Sequence, residues 1–121
     1  MPRNISFALT INQFYDGSKD VTRRLGWKNL QPGEILCAVE KSQGIPKDGK
    51  IRKLGLIRVV SARRERLSRM TGDPSWGEIE VRREGFPNMT PAEFVEFFCA
   101  THKGCSPSTY VTRIEFERIA E

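Results

Sequence analysis

The chain has 121 residues, 38% of them hydrophobic and 29% charged, with a formal net charge of +5. That composition excludes a disordered chain, and no apolar run approaches the roughly 20 residues of a membrane helix. One domain over 1–121 is the simplest reading, long enough to bury roughly two-thirds of its unfolded surface, and the basic balance favours polyanionic partners.

Met1-Pro2-Arg3-Asn4 leads into a strand-like run without the apolar core of a signal peptide, so a cytoplasmic location is expected. Ile5 to Leu9 alternates large and small apolar side chains and predicts a strand. Thr10 then caps a short helix carrying Ile11, Phe14 and Tyr15, stopped by Gly17. From Gly17 to Trp27 the pattern reads as a basic loop with glycine on both flanks, carrying Lys19, Thr22, Arg23, Arg24 and Trp27. Such a loop approaches an anion closely, donates charge-assisted hydrogen bonds and offers one flat face for stacking.

Gln31 to Glu34 is a turn, and Ile35 to Val39 is apolar on both faces, as in a central strand. Residues 42–50 read as hairpin or loop. Lys53 to Ala62 predicts a second strong strand with a bulge or sharp coil near Gly55, followed by Arg63, Arg64, Arg66 and Arg69 as a solvated basic edge. Asp73-Pro74 reads as an N-cap and first turn. The helix after it carries Trp76, Glu80, Arg83 and Glu84 and ends at Gly85, although the alternation of Ile79 and Val81 leaves a strand open.

Thr90-Pro91-Ala92-Glu93 is a capping box. Its helix presents Phe94, Phe97 and Phe98 on one face, widened by Val95 and Cys99, with His102 and Lys103 in the last turn and Gly104 closing it. Tyr110, Thr112, Ile114 and Phe116 then alternate as a half-buried strand. The order β, short α, β, β, α, α, β predicts an α+β domain: a small, strongly curved sheet or open barrel with flanking helices. Cys37, Cys99 and Cys105 lack metal-type spacing and His102 is the single histidine. Neither a zinc set nor a Cys-His pair is expected, the thiols are read as reduced and structural, and no metal or cofactor is anticipated.

The motif Gly17-x-Lys19-x-x-Thr22-x-Arg24, the turn Pro32-Gly33-Glu34, the segment Arg83-Glu84-Gly85-Phe86-Pro87, the Thr90-Pro91-Ala92-Glu93-Phe94 helix start and the Val111 to Phe116 strand together resemble the ASCH domains of the PUA-like superfamily, above all phage and bacterial members. The resemblance covers nearly the whole chain. It implies a PUA-like curved β-barrel with a cleft beside the lysine-bearing segment, and binding of RNA or a modified nucleoside. The family includes a small bacterial amidohydrolase that removes the acetyl group of N4-acetylcytidine. Its catalytic lysine and threonine match Lys19 and Thr22, and its catalytic glutamate matches Glu84 if a gap is allowed.

Two roles stay open for Lys19: a general base, which requires a lowered pKa, or a phosphate clamp, which does not. Thr22 is a nucleophile or the maker of a local backbone bond; Glu84 orients Lys19 or protonates a leaving amine. Arg24 lines the cleft or pairs with Glu84, while Arg23 is expected outward and available to phosphate. Trp27 stacks on a base or closes the core, and His102 is a helix-dipole partner without a catalytic role. Amide hydrolysis by Lys19, Thr22 and Glu84 is therefore one expectation, non-catalytic RNA binding by the same basic cleft a second, and a protein-interaction domain with a vestigial cleft a third. A monomer or weak dimer is anticipated.

Overall fold

The computed structural model describes residues 2–41 and 51–119, so the loop expected over 42–50 lies outside the described residues. The chain runs β1 (Arg3–Ser6), α1 (Ile11–Asp16), β2 (Val21–Arg24), β3 (Ile35–Val39), β4 (Lys53–Arg66), α2 (Arg69–Gly72), α3 (Pro74–Arg83), α4 (Pro91–Thr101) and β5 (Tyr110–Arg118). The five strands form one curled, half-barrel sheet in the order β1-β3-β4-β5-β2, with β1 parallel to β3 and the other pairs antiparallel. The 14-residue β4 makes the curl. Its first part pairs with β3 and its second with β5, and the register slips at Val59/Ser61, where bulged Val60 is exposed. A second irregularity at Ala38/Val39 faces the stretch beside Gly55, as the sequence anticipates.

Local chemistry sets the helix starts. The Asp73 side chain accepts from the Trp76 N–H with Pro74 in the first turn, and Thr90 and Glu93 close a reciprocal capping box. The Ile79/Val81 alternation is resolved as helix, with Val81 buried and Ile79 exposed. Besides β2, four elements depart from expectation. β1 spans Arg3–Ser6 rather than 5–9, β4 continues through Arg63, Arg64 and Arg66, the short α2 appears, and α4 stops at Thr101, so His102 is its cap.

Two apolar clusters sit on opposite faces of the sheet. One gathers Phe7, Phe14, Leu36, Ile57, Ile114 and Phe116 under α1; the other gathers Leu67, Met70, Val81, Phe94, Phe98 and Val111 under the later helices. β5 is consequently covered on both faces, with Val111, Thr112, Arg113 and Ile114 all buried, instead of half-buried as its alternation predicts. The helix layer closes tightly at Gly77, where a Cβ would overlap the Met70 carbonyl oxygen and lie 3.0 Å from the Pro91 ring. Gly77→Ala should therefore lower the urea midpoint, by about 1–3 kcal/mol or more of stability; an unchanged midpoint would show that α2 and α3 separate freely.

Candidate functional site

The Gly17–Trp27 stretch is the main correction. Val21–Arg24 is no loop but an edge strand paired with β5, Thr22 opposite Ile114, Arg23 opposite Arg113 and Arg24 opposite Thr112. Strand alternation puts Thr22 and Arg24 on one face and turns Arg23 to the other, beneath α3. Arg23 was expected outward; it is 3% exposed. The reason is charge. Arg23 Nη2 donates to Glu80 Oε1 at 2.5 Å and Glu65 Oε2 at 3.3 Å, and Nη1 to Glu84 Oε2 at 2.9 Å. Arg113 adds two bonds to Glu80, from Nε at 2.6 Å and Nη2 at 3.1 Å.

Lys19 reaches this network from the turn after α1. Gly17 ends that helix with φ +83, the Lys19 N–H donates to the Gln13 carbonyl, and Asp20 is clamped by two bonds from Arg83, each 2.9 Å. The side chain is thereby driven inward. Its Nζ donates to the Glu84 carbonyl at 2.6 Å, the Val21 carbonyl at 3.0 Å and Glu84 Oε1 at 3.3 Å. Glu84 caps α3, so Lys19 satisfies a carbonyl at the negative end of that helix. Burial is the largest influence on the amine and depresses it; Glu84 pulls it back up, Arg24 and Arg23 push it down, and it settles at about 8. About a tenth of the molecules then carry a neutral amine at pH 7.

Thr22 is buried, and its Oγ1 accepts from Arg24 Nε at 3.0 Å, which leaves the hydroxyl proton free for transfer. Burial lowers the Arg24 guanidinium to about 10, against the pull of Glu84. Arg24 Nη2 donates to the Ser6 carbonyl at 2.5 Å, so it bridges the two edge strands, β2 and β1, at the gap the half-barrel leaves. Phe7 lies under both cations, its ring centre 5.2 Å from Arg24 and 5.7 Å from Lys19.

A cavity of about 250 Å³ opens at this gap, lined by Lys19, Thr22, Arg24 and Glu84 on one side and by Phe86, Phe94, Phe97, Phe98 and His102 on the other. Lys19, Thr22, Glu84 and Arg24 are thus brought together, with Arg23 behind them. Trp27 is not part of this cavity. It packs on the first core cluster with a positive φ of 54°, and Arg3 lies 4.2 Å from its ring centre.

The chain matches no family model and no curated protein. Its fold is similar to the crystal structure of hypothetical protein PH0355, with a TM-score of 0.67 over 98% of this chain and 100% of that one, at 18% identity. That likeness shows the fold alone. Among the described residues no helix is long and apolar enough to cross a membrane.

Glu80, Glu65 and Arg113 complete the charged network, and the sequence reading did not assign them to the site. A signal was present: Glu80 and Glu84 share a helix face at i,i+4, and Arg113 stands between buried Val111 and Ile114. The sequence places the α4 phenylalanines on one apolar face. Its Phe94 and Phe98 are core, yet with Phe97 they also form a cavity wall. His102 closes that wall, its ring stacked on Phe98 at 4.0 Å and 14°, with Nδ1 2.8 Å from the Phe98 carbonyl. Among the described residues no three His, Cys, Asp or Glu side chains are grouped to hold a metal ion. The carboxylates Glu65, Glu80 and Glu84 converge on arginine instead.

Proposed function

We propose that this chain is a cytoplasmic, ASCH-like protein of PUA-like fold that hydrolyses the amide of an N4-acylated cytidine. The observation that carries the reading is the meeting of Lys19 Nζ with Glu84 Oε1 at 3.3 Å, inside the cavity that Thr22 also lines. Lys19, Thr22 and Glu84, which the sequence resemblance matches to the catalytic residues of the amidohydrolase, all line this one cavity.

In this reading the neutral Lys19 amine takes the Thr22 hydroxyl proton while Oγ1 attacks the acyl carbon, and Arg24 at that oxygen lowers the cost of its negative charge. The tetrahedral adduct collapses. Its C–N4 bond breaks, and N4 leaves as an amine after receiving the proton from Lys19, with Glu84 holding the ammonium in place. Water then attacks the acyl-Thr22 ester and gives a proton to Lys19; the C–Oγ1 bond breaks, Lys19 returns that proton to Oγ1, and the carboxylic acid leaves. The aromatic wall offers flat surfaces to the pyrimidine.

The phosphate-clamp role fits the geometry less well. All three ammonium protons of Lys19 point at protein acceptors, and Arg23 is enclosed by carboxylates. Of the described lysine and arginine side chains lining the cleft, non-catalytic binding of RNA would therefore rest on Arg24.

Chromatographic detection of cytidine after incubation with N4-acetylcytidine tests the proposal. Because the base must be neutral, the rate is expected to rise with pH and level off above about 8, the value for Lys19. Absence of cytidine at high protein concentration, with RNA binding that weakens steeply as salt increases, would replace hydrolysis by the binding reading.

A further inference from the structure

Two cysteines stand against the wall of the cavity. Cys99 lies in the last turns of α4 and Cys105 follows the turn beyond it, and their sulfurs are 3.6 Å apart as free thiols. Both are partly buried against the second apolar cluster. The chain between them reverses at Gly104, with φ +78, and the Cys105 N–H donates to the His102 carbonyl at 3.1 Å. The sulfurs are thus held in contact by the fold, needing about 1.5 Å of further approach to reach a disulfide bond length. Cys37 lies elsewhere, buried on β3 between β1 and β4.

We propose that Cys99 and Cys105 are an oxidation site, forming a reversible disulfide in response to a hydroperoxide. Cys105 sits in a turn between exposed Gly104 and Ser106 whereas Cys99 lies within α4, so the reaction starts at Cys105. Its thiolate attacks one peroxide oxygen: an S–O bond forms, the O–O bond breaks, and the other oxygen leaves and is protonated to water. Cys99 then attacks the Cys105 sulfenic acid. The S–S bond forms, the S–O bond breaks, and the departing hydroxide takes the Cys99 proton as a second water. Two thiols lose two electrons, and one hydrogen peroxide becomes two waters. Thiol reductants reverse the bond.

The loop that closes carries Thr101 and His102, both lining the cavity, with His102 stacked on Phe98. The disulfide therefore ties down the aromatic wall of the candidate site. Its chemistry needs nothing from hydrolysis, so the two proposals stand or fall separately.

Trypsin offers a direct test, because Lys103 separates the two cysteines. The reduced protein should yield peptides 84–103 and 104–113 apart. After hydrogen peroxide treatment under native conditions they should stay linked, at about 2 Da below the summed mass. Titratable thiols should fall from three to one, with amide exchange slowed over residues 100–104. Cys99→Ser and Cys105→Ser should each abolish the linked species, whereas Cys37→Ser should retain it. Survival of all three thiols, sulfinic or sulfonic acid at Cys105 with Cys99 still titratable, or loss of thiols only through intermolecular dimers would each overturn the proposal.

Discussion

Lys19→Arg should abolish cytidine release from N4-acetylcytidine, lowering turnover by about 10²–10⁴-fold. Arginine keeps a positive charge and hydrogen-bond donors at the position, but its guanidinium does not surrender a proton near neutral pH. The substitution therefore separates the two roles open for Lys19. A phosphate clamp tolerates it, whereas a general base does not. Lys19→Ala should be equally inactive. Full activity in Lys19→Arg would remove lysine from the chemistry and leave it as a cap on the Glu84 carbonyl. Circular dichroism of each variant is needed beside the assay, since Nζ bonds to both Glu84 and the Val21 carbonyl.

Glu80→Ala should lower stability by about 3–5 kcal/mol in urea unfolding. Glu80 is 1% exposed and accepts from both Arg23 and Arg113. Its removal takes a carboxylate from two buried guanidinium groups. Arg23 would keep Glu84 and Glu65, but among the described residues Arg113 would keep only the Glu115 carboxylate, at 3.6 Å.

The same network makes an acid prediction. Burial by itself raises the Glu80 carboxyl, but hydrogen bonds from Arg113 and Arg23 outweigh it and hold the group at about 2, against 4.5 for a free glutamate. A depressed folded value means the contribution is fully present above pH 4.5 and is lost as pH falls towards 2. Wild type should therefore lose stability through that window more steeply than Glu80→Ala. Parallel profiles for the two proteins, or a loss in urea below about 1 kcal/mol, would show that the arginines find water or other partners.

The helix starts were legible because their chemistry is local. Asp73 and Thr90 bond to amides three residues on, and Pro74 and Pro91 preset the first turn. The short β2 was not. A run of Val, Thr, Arg and Arg carries no apolar alternation, since one face holds Thr22 and Arg24 while the other holds a buried arginine. Burying Arg23 requires three carboxylates from β4 and α3, and no window around residue 23 contains them. Trp27 was readable as a stacking or a packing residue for a related reason, and only the path of the chain after β2 sets it against the first core cluster.

By itself the sequence determined the elements whose causes lie within a few residues: the two capped helices, the apolar β3 and β4 strands, and the lysine–threonine spacing. Tertiary structure decided which charges are buried and which groups meet. Lys19 and Glu84 lie 65 positions apart and are joined only because α3 ends beside the turn that follows α1. The shift of Lys19 to about 8 arises from desolvation, a property of everything packed around the amine rather than of its neighbours in the chain.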